Sequence, residues 1–502
     1  MARAWFVLLL VGTLVLRLGY LQAGILDLAP DEAHYWEWSR RLDVSYYSKP
    51  PMVAYIIRLF TSLGGHSVVM VRLGAVLIAA LLMGLAFRLG RAVSGRDWVA
   101  LLAVLFLTAI PLYAAGGVLM TIDPPLMLFW VLGVLAVRRA VRGGWGGWAA
   151  AGLALGLGLL SKYTMILLVP CAALALWLHP QGRPWLRRPA PYLATGLGLL
   201  AFLPALAWNA AHDWVSFRHT LAMAGTGSGW LIKPDAFVAF VASQAGVVTP
   251  LLFVLLLAGM ARSAWLGVRG GHVDHLLLAA FSAPVLGFFV GLSLLGKVEA
   301  NWAAPAYFTA AVAAADLVAR GLGRVPVGLV RGFAGVAIVL GLAVAAVGHD
   351  TDLLRRAGVE LPARLDPSTR LVGWQQLGQE VSRVRQRFGE PPLPLVSDRY
   401  QIASELAFYV AGRPRLYVVN LGRRLNQYDL WGGLPALEGR DVLLVTYGED
   451  ALDPRLARAC DRVEEVEPPV VIRRGGERVS SFLIALRRHP GLQRGREPSS
   501  PP

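Results

Sequence analysis

The sequence predicts a polytopic α-helical membrane protein that carries a C-terminal soluble α/β domain. Three observations predict it. Of the 502 residues, 56% are hydrophobic and only 16% are charged, with a mean hydropathy of +0.54. Up to about residue 347, apolar runs of roughly 18–24 residues recur, the length needed to cross a hydrocarbon core about 30 Å thick. Beyond that point the chain turns polar and alternates short helical and strand patterns.

Candidate spans fall near 4–23, 68–91, 97–116, 122–140, 145–160, 163–179, 190–209, 236–260, 275–295, 301–319 and 327–347, about eleven in all by the usual hydropathy reading. The first has a basic start and an apolar middle. Bulky Tyr20-Leu21-Gln22 precedes the only small-residue pair, Ala23-Gly24, so a retained span is expected rather than a cleaved signal peptide. The expected domains are a membrane part over 1–348 that includes a long loop at 24–66, an α/β part over 349–488, and a disordered tail over 489–502.

The net charge of +16 does not point to nucleic acid, because no basic face is interleaved with stacking aromatics. Arginines instead gather in alternate short loops: Arg88, Arg91 and Arg96; Arg138, Arg139 and Arg142; Arg183, Arg187 and Arg188; Arg262 and Arg269; Arg320, Arg324 and Arg331. The positive-inside rule makes these loops cytoplasmic, with the N-terminus inside and the soluble part outside. Contact with membrane lipids follows. Nearly all carboxylates are expected in the opposite loops. Of the two cysteines, Cys171 lies in an apolar run and Cys460 in the polar part, so neither a disulfide nor a zinc spacing is expected.

On that assignment Asp31, Glu32, Lys49, Asp123, Lys162, His212, Asp213, Lys297 and Glu299 all fall at the outer face. The loop at 24–66 adds His34, Tyr35, Trp36, Trp38, Tyr46 and Tyr47, a density suited to a helix lying among lipid headgroups. In the polar part, helices are expected at 373–388 and 399–411. Strands are expected at 393–397, 415–419, 441–447 and 480–486. No Gly-rich phosphate loop, HExxH, Walker sequence or Ser-His-acid pattern occurs, which leaves hydrolase and nucleotide-driven chemistry without support.

Each candidate has two readings. Asp31-Glu32, in PDEAHYWEWSRRLDVSYYSKPP, offers a general base within a carboxylate pair, or simply a helix cap. Lys49, beside two prolines, suits a fixed cation for phosphate, or a snorkelling side chain. Asp123, in MTIDPPLMLFW, starts a span as an ordinary cap followed by proline, or stands as an ionisable group at the mouth of the bundle. Lys162, in SKY, reaches either a phosphate or lipid headgroups. Lys297 and Glu299 either act in a site or pair in solvent. His212 and His219 are ligands, bases or ordinary loop histidines.

The order of these motifs resembles glycosyltransferase family 39, the protein-mannosyltransferase-like superfamily, and its relatives that attach aminoarabinose to lipid A. The residues that carry the resemblance are DEAHYWEWSRRLDVSYYSKPP, TIDPPLMLFW, LGLGLLSKYT, WNAAHDWVSF, GKVEANWAAPAY, DRYQIASELAFYVAGRP and NLGRRLNQYDLW. The resemblance implies a GT-C fold and a glycosyltransferase acting at the outer face of the inner membrane. Its donor would be a polyprenyl (undecaprenyl) phosphate sugar and its acceptor a lipid A, core saccharide or other envelope glycan. Asp31 would be the catalytic carboxylate, with Glu32 beside it and Asp123 as the second acidic residue. Lys49, Lys162 and Lys297 would bind the donor phosphate. Tyr35, Tyr46, His212 and Glu299 would contact sugar or acceptor, and an apolar groove between spans would take the isoprenoid tail.

Where the aminoarabinose branch has a metal-holding glutamate before the loop lysine, this chain has Ser48. A bound zinc is therefore not expected, no cofactor is required while a divalent metal stays open, and a sugar other than aminoarabinose is expected. Arg423, Asn426, Gln427, Tyr428, Asp429 and Trp431 either recognise the acceptor or pack the soluble part. Protein O-mannosylation and flipping of a lipid-linked sugar are the competing activities. The orientation is tested by fusing alkaline phosphatase after residue 349: high activity is expected there, and low activity for a fusion after Arg142.

Overall fold

A computed structural model of the chain describes residues 1–223, 232–323, 325–363, 365–432, 437, 440–448, 462–465, 468–474 and 476–488. The packing separates two compact units. One comprises Met1–Ala23 and Leu42–Asp350, the other Gly24–Arg41 and the residues from Thr351 onward. The expected disordered tail and Cys460 lie outside the described residues.

The chain begins with α1 (Ala2–Gln22), α2 (Pro30–Ser39), α3 (Met52–Gly64) and α4 (Val68–Ser94). Next come α5 (Asp97–Ala109), α6 (Pro111–Gly116), α7 (Asp123–Val141), α8 (Trp145–Leu159) and α9 (Leu168–Leu178). Then follow α10 (Ala190–Ala211), α11 (Val215–Met223), α12 (Pro234–Val248) and α13 (Pro250–Val268). The first unit closes with α14 (Val273–Ala280), α15 (Ala283–Ser293), α16 (Ala304–Arg320) and α17 (Val327–His349). Among the described residues, eight helical stretches are long and apolar enough to cross a membrane.

Three expected spans are broken, each next to a proline. The run at 97–116 splits at Ile110 before Pro111, and 275–295 splits at Phe281-Ser282 before Pro284. The run at 236–260 breaks at Thr249, whose φ of 77° lies outside the helical region, ahead of Pro250. Proline lacks the N–H that would continue the ladder, and its ring crowds the preceding residue out of the helical conformation. A hydropathy window sees only apolar residues here and runs straight through. As a result α13 extends to Val268 and carries Arg262 within the helix rather than in a loop.

Helix α16 forms the interior, with every residue from Ala304 to Ala319 buried. Its alanines let neighbours approach closely, since without a hydrophobic drive between helices in lipid, small residues and dense packing hold bundles together. The pairing of α8 with α10 uses the same device. A side chain at Gly152 would run into the carbonyl oxygen of Ala194, and one at Gly156 into Ala201 and Gly198.

The arginine-rich end holds more carboxylates than its loops led us to expect. Asp97 accepts from Arg3 at 2.7 Å and pairs with Arg91 at 3.0 Å. Asp274 pairs with Arg138 at 2.8 Å and Arg142 at 2.7 Å. Asp316, 1% exposed, is held by Arg262 and Arg320, both at 2.9 Å, with His275 at 3.6 Å. Each of these three aspartates pairs with at least one guanidinium, and for Asp316 a low-dielectric interior demands it.

The second unit contains α18 (Asp352–Arg356), α19 (Trp374–Gln386), α20 (Tyr400–Tyr409) and α21 (Gln427–Leu430). Its strands are β1 (Leu395–Ser397), β2 (Leu416–Val418), β3 (Val442–Tyr447), β4 (Arg462–Glu465), β5 (Val470–Arg474) and β6 (Glu477–Arg488). They form one mixed sheet in the order β2-β1-β3-β6-β4, with β5 also paired to β6. β1 runs parallel to β2 and β3, and the pairings of β6 are antiparallel. The helices and strands expected between 373 and 486 are present, and β4 and β5 join them.

Helix α2 differs most from expectation. It does not lie in a headgroup layer: it packs on α20 within the second unit, and Glu32 through Ser39 are all buried. Trp36 and Trp38 are fully covered, and Trp36 meets the edge of Phe408 at 4.9 Å. The aromatic density of this stretch is thus core density.

Replacing Gly152 by Val is expected to lower stability by roughly 1–3 kcal/mol through overpacking, read as a lower unfolding temperature in detergent. An unchanged value would contradict the close α8–α10 approach.

Candidate functional site

In the first unit, Asp123 opens α7, where a carboxylate also meets the favourable end of the helix dipole. Its Oδ1 accepts from Lys162 Nζ at 2.7 Å and its Oδ2 from Asn301 Nδ2 at 2.6 Å. The side chains of Lys162 and Asp123 are 7% and 20% exposed. Lys162 sits between α8 and a short 3-10 turn (Tyr163–Leu167), in extended backbone that turns it inward. Asn301, on the 3-10 turn Ala300–Ala303, was missed in the sequence although it lies in the GKVEANW motif. An amide there carries no charge to draw the eye.

Below this pair, a largely apolar cavity of about 210 Å³ has Leu82, Met83, Leu112, Met127 and Phe308 in its lining, with Asp123, Asn301 and Arg17 among its polar groups. Arg17 projects over Gly117, at which a side chain would strike its guanidinium.

The stretch after Leu42 is tied to α10 and α11. Asp43 accepts from Trp208 Nε1 at 2.9 Å, Asn209 Nδ2 donates to Ser45 Oγ at 3.2 Å, and Ser216 Oγ donates to the Tyr46 carbonyl at 2.7 Å. Tyr46 is fully buried, with its hydroxyl accepting from the Asp43 N–H at 3.1 Å. Lys49 is half-buried, and its carbonyl accepts from the Tyr46 N–H at 3.2 Å. His212 stacks on Trp208 at 3.9 Å and bonds through Nδ1 to the Trp208 carbonyl at 2.8 Å. Lys297 and Glu299 pair at 2.9 Å on the surface, 81% and 45% exposed, an arrangement worth at most about 1 kcal/mol.

In the second unit, Asp31 is exposed in the first turn of α2, directly before the eight buried residues. Tyr400 O–H donates to its Oδ1 at 3.3 Å. Glu32 is buried and reaches back to accept the Ala29 N–H at 2.9 Å, closing the helix start. Tyr35 is buried against Trp38, with ring centroids 5.0 Å apart. His34 Nδ1 meets Ser404 Oγ at 2.9 Å, and Ser404 in turn meets the Tyr428 hydroxyl at 3.1 Å. Burial pushes the His34 imidazole down to about 3. Burial also raises the Glu37 carboxyl, opposed by Arg40 and Arg41 at 3.0 and 3.2 Å.

The polar run near 423–431 is engaged internally. Asn426 caps α21, Asp429 accepts the Asn426 N–H at 2.6 Å, Gln427 and Tyr428 are buried, and Trp431 lies under Arg41. Among the described residues, no three His, Cys, Asp or Glu side chains gather as a metal site.

The family described as dolichyl-phosphate-mannose-protein mannosyltransferase matches residues 48–208. The lipid A galacturonosyltransferase RgtD of Rhizobium johnstonii is 33% identical over 323 residues, covering 62% of this chain and 65% of that protein. An undecaprenyl phosphate-α-4-amino-4-deoxy-L-arabinose arabinosyl transferase of an Enterobacter species is 34% identical over 201 residues, 34% of this chain and 35% of that one. The fold matches ArnT from Cupriavidus metallidurans in the apo state with a TM-score of 0.61 at 18% identity, over 97% of this chain and 98% of that one. In sequence the chain is similar to lipid A sugar transferases over part of their length, and it shares the fold of ArnT. The GT-C fold extends over nearly the whole chain, whereas the sequence match spans just under two-thirds of the galacturonosyltransferase and about a third of the arabinosyl transferase. Its apolar helices make it a multi-pass membrane protein.

Because the folded imidazole of His34 titrates well below the ordinary value near 6.5, the unfolded chain binds more protons between about pH 6.5 and 3. Stability is therefore full above pH 6.5 and declines as pH falls toward 3, by up to about 1.4 kcal/mol per pH unit. His34→Gln is expected to flatten that decline in acid unfolding followed by tryptophan fluorescence.

Proposed function

We propose that this protein transfers a sugar from a polyprenyl phosphate to a lipid A-type acceptor at the outer face of the inner membrane. Its N-terminus would be cytoplasmic and its second unit periplasmic. The observation that carries the reading is Asp31, an exposed carboxylate on a helix whose next eight residues are buried. A rigid support of this kind is what a reacting group requires. The relatives named for transfer onto lipid A support the acceptor class, and an ArnT structure with bound undecaprenyl phosphate supports the donor class.

In the proposed step an acceptor hydroxyl oxygen attacks the anomeric carbon and its proton passes to the Asp31 carboxylate. The bond from the anomeric carbon to the phosphate oxygen breaks, and polyprenyl phosphate departs with the electron pair. Lys162, already fixed by Asp123, and Lys49 supply cations for that phosphate, since preset charge stabilises a leaving group without reorganisation. The apolar cavity beneath Asp123 takes part of the isoprenoid tail. Glu32 and Tyr35 act by positioning α2, and Tyr46 by positioning the segment that bears Lys49. The apolar walls and the phosphate carrier make a soluble nucleotide donor unnecessary.

In proteoliposomes supplied with an undecaprenyl phosphate sugar and lipid A, Asp31→Asn is expected to lower turnover by about 10²–10⁴-fold without changing the unfolding temperature. Full turnover by that variant would refute its role. Lys49→Gln is expected to raise the donor KM at least tenfold. An intact sugar–phosphate bond in every product would instead indicate flipping.

A further inference from the structure

The second unit holds a groove of about 640 Å³ whose lining includes Asp31, Arg370, Trp374, Arg399, Tyr400 and Tyr447. Its floor is aromatic. Tyr447 and Phe482 are cross-strand partners on β3 and β6, stacked with centroids 4.8 Å apart and an interplanar angle of 29°. Trp374 packs on the same Phe482 at 5.5 Å. Tyr447 ends a strand whose other residues are buried, and is itself 36% exposed. The exposed part of Tyr447 gives the groove a rigid aromatic edge against which the apolar side of a sugar ring can lie.

The charged groups are placed just as specifically. The Arg399 guanidinium sits 5.3 Å above the Tyr447 ring and 3.6 Å from buried Asp398, which Arg423 also contacts at 3.1 Å. Thr446 Oγ1 donates to the other oxygen of Asp398 at 2.7 Å. Arg370 is exposed on the 3-10 turn Pro367–Leu371, which Trp374 Nε1 anchors by donating to the Arg370 carbonyl at 2.9 Å. Among the described residues no carboxylate pairs with the Arg370 guanidinium. Two guanidiniums thus face the groove against a single lining carboxylate, Asp31. Planar guanidiniums match phosphate and carboxylate oxygens in a two-bond fork.

We infer that this groove binds an anionic saccharide, the phosphate- or carboxylate-bearing sugar of the acceptor, packed against the exposed edge of Tyr447 and clamped by Arg370 and Arg399 with a hydroxyl presented to Asp31. The inference rests on the transfer reading above for its biological meaning, but binding itself does not require transfer. An acyl-bearing saccharide and a free oligosaccharide would offer the same chemistry to the groove.

The test measures binding to the full chain in nanodiscs by calorimetry, with three probes: bisphosphorylated diglucosamine lipid, its fully deacylated saccharide, and the same saccharide dephosphorylated. Binding of both phosphorylated probes is expected, with the dephosphorylated saccharide at least tenfold weaker. Arg370→Gln and Tyr447→Ala should each weaken the deacylated phosphorylated probe at least tenfold, while Tyr447→Phe keeps its affinity and all three variants keep the wild-type unfolding temperature. If only the acylated probe binds, and the variants bind it as the wild type does, the groove is not the saccharide site. Equal affinity for the dephosphorylated saccharide would equally overturn the inference. In transfer assays Arg370→Gln should raise the acceptor KM and leave the donor KM unchanged. Failure of the wild type to transfer any sugar would refute the function proposed above while leaving the binding result standing.

Discussion

An ion cannot stay charged inside an apolar helix bundle unless another group meets it there, and that constraint organises the first unit. At the arginine-rich end three aspartates sit among guanidiniums, with Asp316 nearly sealed from solvent between Arg262 and Arg320. Such pairs add little net stability, but losing one partner strands the other at a cost of several kcal/mol. The opposite end obeys the same rule with a different outcome. Lys162 is held by Asp123, and Asp123 by Asn301. The ammonium is thereby fixed in position before any ligand arrives, so a phosphate entering its neighbourhood meets a cation whose side-chain entropy is already lost.

The second unit solves a different problem with ordinary core packing. Helix α2 is short, opens with proline, and would be marginal alone. Its stability comes from burying His34, Trp36 and Trp38 against α20, together with the Glu32 contact to the Ala29 N–H. Asp31 stands at the one turn left open by that packing. On the proposed transfer, Asp31 would be positioned by residues with no chemical part in the reaction.

Much of this was legible in the sequence because lipid imposes a coarse code. Run length and arginine placement located the helices, and the period of the polar part located β1, β3, α19 and α20. The breaks at Ile110, Thr249 and Phe281 escaped because hydropathy averages over the prolines that cause them. Aromatic density around Trp36 looked interfacial, since a window of sequence cannot tell a surface that meets lipid from one that meets another helix. Asn301 was overlooked beside the charged Lys297 and Glu299, which the structure pairs with each other in solvent. Within the carbohydrate-like stretch at 423–431, Asn426 and Asp429 cap their own short helix. The aromatic–arginine groove uses Arg370, Trp374, Tyr447 and Phe482, residues scattered over more than a hundred positions and brought together by the pairing of β3 with β6 and by the packing of Trp374 on Phe482.

The assignment of Gly24–Arg41 to the second unit has a consequence for how the protein can be taken apart. The polypeptide leaves the helical bundle after Ala23, contributes α2 to a body otherwise built from residues beyond Thr351, and returns at Leu42. Cutting the chain at residue 350 would strip α2 of its cover and expose two tryptophans, so the C-terminal portion is no detachable accessory. Exchanging it between homologues would demand exchanging this early insert as well, and the two stretches form one heritable part despite being more than three hundred residues apart.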